Sequence, residues 1–201
     1  MATQLPDYLE SGRQAGPARI YDNIQATMPA VTLPIIEMEL WNTVEEFALR
    51  STYFRDRVDW TMAPDVRTYD FNPYGNNMIA FTILKVYGLS YWQALPPAVL
   101  QDDSYAITGQ RNGNALLALK PISFNCLPPV LWDRWFECMM DGVRGRLMSQ
   151  PAKPYASPQM AEYHMKRFRV GLNLARAEAE QRYSGQTTFR FPYFAQGKRK
   201  Q

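Results

Sequence analysis

Histidine is nearly missing from this chain: His164 is the single one in 201 residues. One histidine excludes the usual two-histidine metal sites and leaves at most one imidazole for acid–base work. Its place between Tyr163 and Met165 predicts an ordinary surface position on a late helix. Cysteine is scarce too. Cys126 and Cys138 have no metal-like spacing, and Cys138 falls inside a helical pattern, so a reduced, buried thiol is expected rather than a disulfide. Gly142-Val-Arg-Gly145 has no preceding strand and no following Gly-Lys-Ser/Thr, which excludes a phosphate-binding loop. The acidic pairs Glu45-Glu46 and Asp102-Asp103 are sequence neighbours, which face different ways on a helix and are solvated in a loop. No catalytic constellation emerges, and neither an enzyme activity, a cofactor nor a metal is expected. No apolar run approaches the roughly 18 residues of a membrane span, and the first residues lack a charged-then-apolar signal pattern. A soluble protein made in a cytosol, with no membrane contact, is the expectation.

What the chain does have is aromatic residues: five Trp, twelve Tyr and ten Phe. Aromatics beyond the needs of a core often mark interfaces. The net charge of +3 is mild and argues neither for nor against an acidic partner.

Two late helices organise the chain, over about 128–150 and 157–183. In the second, Ala161, Met165, Phe168, Leu172, Ala175 and Ala179 recur at steps of four and three, a narrow seam for packing on another helix. Ser157 suits the cap and Pro158 the first helical position. Lys166, Arg167, Arg169, Arg176 and Arg182 leave its outer surface basic. In the first, the three-residue spacing of Gly142 and Gly145 permits close approach of another backbone. An early helix is predicted from Pro34 to about Phe54, capped by Thr32, with Ile36, Leu40, Val44, Phe47, Ser51 and Phe54 on its apolar face. A shorter one carries Ile20, Ile24 and Met28 and ends before Pro29. Residues 1–17 read as a flexible arm.

The middle of the chain has a different periodicity. Short strands are predicted at 58–62, which alternates, at 78–87, rich in β-branched and aromatic residues, and at 68–71, 91–95, 104–108 and 115–119, punctuated by turn clusters such as Asn72-Pro-Tyr-Gly-Asn-Asn77. Strands segregated from helices exclude a doubly wound parallel sheet. The predicted fold is α+β: a helical bundle (18–55 and 128–185) with a small antiparallel β domain (56–127) inserted after the first long helix. Residues 186–201 form an extended tail. That tail crowds Phe189, Arg190, Phe191, Tyr193, Phe194, Lys198, Arg199 and Lys200 together without one acidic residue, a composition suited to docking.

In this order the elements resemble the head-to-tail adaptor (connector) proteins of tailed bacteriophages, of the short-tailed type. The resemblance runs through Leu33-Pro34-Ile-Ile, Glu45-Glu-Phe-Ala-Leu-Arg-Ser51 and Phe54-Arg-Asp56. It continues in Arg67-Thr-Tyr-Asp-Phe71, Val86-Tyr-Gly-Leu89 and Leu117-Ala-Leu-Lys-Pro121. Its most specific stretch is Asp141-Gly-Val-Arg-Gly-Arg-Leu-Met-Ser-Gln-Pro151, followed by Lys153-Pro-Tyr155, Ser157-Pro-Gln-Met-Ala161 and Phe168. The resemblance implies a structural virion protein at the head–tail junction, made in the host bacterium. It implies a ring, usually of twelve copies, bound to the portal protein and to tail proteins, with genomic DNA passing through its channel. Residues 189–200 would dock on the portal. Trp41, Phe47, Trp135, Gly142, Gly145, Phe168 and Leu172 are the subunit-packing candidates. Two other classes compete: a nucleic-acid-binding accessory protein using the basic tail, and a small hydrolase built on Glu45, Glu46, Asp102 and Asp103.

Overall fold

The computed structural model describes residues 7–62, 66–71, 77–89, 91–102, 111–124 and 127–183, with backbone alone at 7–15, 62, 102 and 111. The fold is α+β. Helices α1 (Asp7–Thr27) and α2 (Leu33–Ser51) come first. Six strands follow: β1 (Arg55–Met62), β2 (Thr68–Asp70), β3 (Met78–Tyr87), β4 (Trp92–Leu95), β5 (Val99–Asp102) and β6 (Arg111–Pro121). The chain then returns to helix in α3 (Val130–Asp133), α4 (Phe136–Met148) and α5 (Pro158–Tyr183).

Helix α2 forms where its apolar spacing predicts it. Ile36, Leu40, Val44, Phe47 and Ser51 are all buried, and Phe54 lies just beyond the helix, half-buried against both cores. Thr32 stands at the cap position in extended conformation but makes no side-chain cap bond. Its carbonyl instead accepts from the N–H groups of Ile35 and Ile36. The helix ends when Thr52 turns left-handed at φ 47, an unfavourable region for a β-branched residue. Arg55 pins that turn, donating from Nε to the Thr52 carbonyl (2.7 Å) and from Nη2 to its hydroxyl (2.8 Å).

Two expectations need correction here. The arm expected over 1–17 is helical from Asp7, with Pro17 inside α1. The anchors are tertiary: Gly16 lies against the Trp132 indole, and Ile20 and Ile24 are fully buried. The single helix expected over 128–150 is broken at Arg134 and Trp135, between α3 and α4. The break seats Trp135 in the core, its ring 5.7 Å from Phe47 and 5.5 Å from Tyr53.

The strands form two antiparallel three-stranded sheets, ordered β1-β6-β3 and β2-β5-β4. They share one small core, with Ala80, Ile83, Val86, Ala115, Leu117 and Leu119 from the first and Leu100 from the second. Trp60 joins them at the edge, packing on Tyr69 and Phe71. Strand β5 was not predicted, because Pro96-Pro97 reads as a stop. The prolines instead occupy the turn between β4 and β5, where no ladder N–H is needed, closed by a bond from the Ala98 N–H to the Leu95 carbonyl. The strand expected over 104–108 lies outside the described residues, as does the tail 186–201.

Candidate functional site

The seam between α4 and α5 contains the densest chemistry in the described part of the chain. Glycines permit it. A side chain at Gly142 would overlap Thr43 of α2 and crowd Phe168 of α5, and one at Gly145 would come within 2.7 Å of the Met165 side chain. The two helices therefore approach closely enough for polar groups to meet across them, as the spacing of these glycines predicts.

His164 is the residue that meets α4, and here the surface position expected for it is wrong. It is 6% exposed and takes the seam place assigned to Met165. The seam runs Ala161, His164, Phe168, Leu172, Ala175 and Ala179, still at steps of three and four. A polar residue is held there because Asp141, 5% exposed, lies opposite. The Asp141 carboxylate is 2.7 Å from His164 Nδ1 through Oδ1 and accepts from Arg167 Nε at 2.9 Å through Oδ2. Burying a carboxylate demands such partners on both oxygens. In sequence the pair is 23 residues apart and the sequence reading missed it; the one available signal is Asp141 four residues before Gly145, and so on the same helix face.

This network does not assemble a nucleophile. Cys138 Sγ points at the Phe168 carbonyl, 3.8 Å away, and a side chain at Gly171 would collide with it. Burial first, and then the charge of Asp141, push the thiol up to about 12, so it remains protonated and unreactive at neutral pH. The acidic candidates are likewise tied into ion pairs: Glu45 with Lys120 at 2.8 Å, Glu46 with Arg50 and Arg146. Asp102 is described by its backbone alone and Asp103 lies outside the described residues. Among the described residues no cluster of three metal-ligating side chains occurs.

On the solvent side of the same seam lies an open groove of ≈ 570 Å³, lined by Trp135, Cys138, Tyr163, Val170, Gly171 and Leu174 with charged residues at its edges. α5 presents a second apolar stripe to it. Tyr163, Val170 and Leu174 are 50%, 59% and 59% exposed, and Met160 extends the line by one turn. Arg134, Lys166 and Arg167 border the groove. Trp135 is 8% exposed, yet its indole N–H has no acceptor, although buried N–H groups are nearly always paired. An amphipathic helix needs one apolar face; α5 has two, and only one is covered.

Of the subunit-packing candidates, Phe47, Trp135, Gly142, Gly145, Phe168 and Leu172 are buried within the chain's own bundle, and Trp41 alone retains partial exposure. The portal-docking candidates Phe189, Arg190, Phe191, Tyr193, Phe194, Lys198, Arg199 and Lys200 lie outside the described residues. No helix among the described residues is long and apolar enough to cross a membrane. Comparison with known proteins finds no family model that matches the chain and no match among curated proteins.

Proposed function

We propose that this chain is a structural virion protein, a head-to-tail adaptor that assembles as a ring beneath the portal and links it to the tail around the DNA channel. The observation that carries this reading is the uncovered apolar stripe of α5 beside the α4–α5 groove. Such a surface suits a protein that functions by packing against another chain.

The neighbour proposed for it is a second copy. Helix α2 lies on the far side of the α4–α5 pair, touching Gly142 through Thr43. Its outer face exposes Met38 and Leu49 together with part of Trp41. Two different apolar patches on opposite sides of one bundle favour a head-to-tail contact, which closes into a ring when the rotation between copies allows it. Twelve copies, the portal and the tail proteins as partners, and a portal-docking role for 189–200 follow from the resemblance to phage adaptors. Assembly needs no turnover.

Electron microscopy with and without portal rings tests the reading. The purified chain is expected to decorate portals as a ring, and the paired substitution Val170→Ser with Leu174→Ser is expected to remove the decoration while leaving the far-ultraviolet circular dichroism unchanged. A folded protein that ignores portals would contradict it.

A further inference from the structure

A second concavity lies where the bundle meets the first sheet, and its chemistry is different. It is a pocket of ≈ 340 Å³ whose lining includes Thr52, Arg55, Lys85, Arg176, Glu180 and Tyr183. Three elements each send one cation to it: Arg55 from β1, Lys85 from β3 and Arg176 from α5. Only one carboxylate, Glu180, joins them, and it is already engaged by Arg176 Nε at 3.0 Å. Lys85 has no carboxylate within ion-pair distance among the described residues; its ammonium sits over the Tyr87 ring, 4.8 Å from the centroid.

The surroundings do not neutralise the excess. Arg57 and Arg182 lie close to Tyr183, as does Asp56. Glu178, the next carboxylate along α5, is occupied by Arg134, Arg182 and the Tyr53 hydroxyl. The Arg55 guanidinium is held rather than free to swing away, because Thr52 fixes it through two bonds; the Tyr183 hydroxyl separately ties the Arg55 backbone by donating to its carbonyl. Burial lowers the Arg55 pKa, Glu180 opposes that and Arg176 adds to it. Like charges held together at a concave site, with rigid backbone on two sides, form a seat for an oxyanion.

We infer that the pocket formed by Arg55, Lys85 and Arg176 binds a phosphate oxyanion. A guanidinium fixed by its neighbours offers its remaining N–H groups in a plane suited to two phosphate oxygens, and Lys85, which lines the same pocket, adds a point charge. The phosphate is either a free anion or part of a nucleic-acid backbone. This site is separate from the α4–α5 groove and stands whether or not the groove packs another copy.

The test is titration of the full-length protein with inorganic phosphate, followed by calorimetry and by the backbone amide resonances of residues 52–55, 85 and 176. Saturable binding is expected to shift those resonances. Lys85→Ala is expected to weaken it about tenfold or more, whereas Lys153→Ala, which removes an exposed cation outside both the pocket and the groove, leaves it unchanged. Lys85 is exposed, so its loss does not threaten the fold. A short single-stranded oligonucleotide then identifies the source. If the phosphate belongs to nucleic acid, Lys85→Ala lowers the salt dependence by roughly one phosphate contact, about 0.7 in the logarithmic slope, even when Lys198, Arg199 and Lys200 are neutralised. If only inorganic phosphate responds to Lys85→Ala, the ligand is a small anion. Absence of saturable phosphate binding, or equal weakening by Lys85→Ala and Lys153→Ala, would overturn the proposal.

Discussion

The helical bundle and the β block of this chain solve the same burial problem in different ways. The bundle's core draws on all five helices, from Ile20 in α1 through Phe47, Leu131 and Met139 to Ala179. It also buries a carboxylate and an imidazole at its tightest seam. The β block has two short sheets around a few small aliphatic residues, closed at one edge by Trp60 with Tyr69 and Phe71. Yet it is the better-built region that leaves apolar surface over. Tyr163, Val170 and Leu174 align along one groove. On the β side Tyr91, at 70%, is the most exposed large hydrophobic among the described residues, and it lines neither the groove nor the pocket at the border with the bundle. A region with a sufficient core and an additional ordered apolar face is shaped for assembly; the region with the smaller core contributes charge instead, sending Arg55 and Lys85 to the pocket at its border with the bundle.

The largest expected effect attacks the bundle's polar seam. Asp141→Ala removes the acceptor shared by His164 and Arg167 and leaves the imidazole buried without its partner, at a cost of about 3–5 kcal/mol. Chemical denaturation measures it. A loss below about 1 kcal/mol would show that solvent reaches the seam and that the contrast with the sheets is overstated.

The corresponding attack on the sheets is Leu117→Ala, in the strand that pairs on both sides with β1 and β3. Deleting this fully buried side chain costs about 2–5 kcal/mol. Because the sheets have their own core, hydrogen exchange is expected to accelerate in β1, β3 and β6 well before α4 and α5 respond. Uniform acceleration across both regions would merge them into one cooperative unit.

A smaller effect separates the regions by pH. In the unfolded chain the Cys138 thiol ionises near its ordinary 9.0, while in the bundle it keeps its proton to about 12. A raised folded value means the contribution is fully present below about 9 and is lost as pH rises towards about 12. Tyr21, also pushed up to about 12 by burial and then by Glu37, adds to the loss above 10. Stability of the bundle should therefore fall through that window, more shallowly in Cys138→Ala, and native Cys138 should resist alkylation at pH 8. Rapid alkylation without unfolding would contradict the burial of the thiol.

Much of this was legible in the sequence, and the failures have identifiable causes. Periodicity located α2 and α5 because each has one dominant buried face, and β-branched and aromatic content located β3, whose buried Ala80, Ile83 and Val86 fall every third residue across two register shifts. It misplaced His164 because a hydropathy pattern prefers Met165, and only the opposing Asp141 makes the histidine the buried choice. It missed β5 because Pro96-Pro97 marks an end equally well whether a strand stops or turns. It treated 7–17 as an arm because the Gly16–Trp132 contact joins residues more than a hundred positions apart. The groove was not foreseen for a similar reason. The stripe of Tyr163, Val170 and Leu174 reads as ordinary scatter on a basic helix until α4 supplies the other wall.

The central claim is that this groove packs another copy of the chain on the portal. Its most direct measurement is the ring count on portal particles, seen by electron microscopy, for the native chain and for Val170→Ser with Leu174→Ser. Both side chains are exposed, so the fold should change by no more than about 0.5 kcal/mol. The account predicts rings with the native chain and bare portals with the folded variant. Rings of normal occupancy on the variant would contradict it.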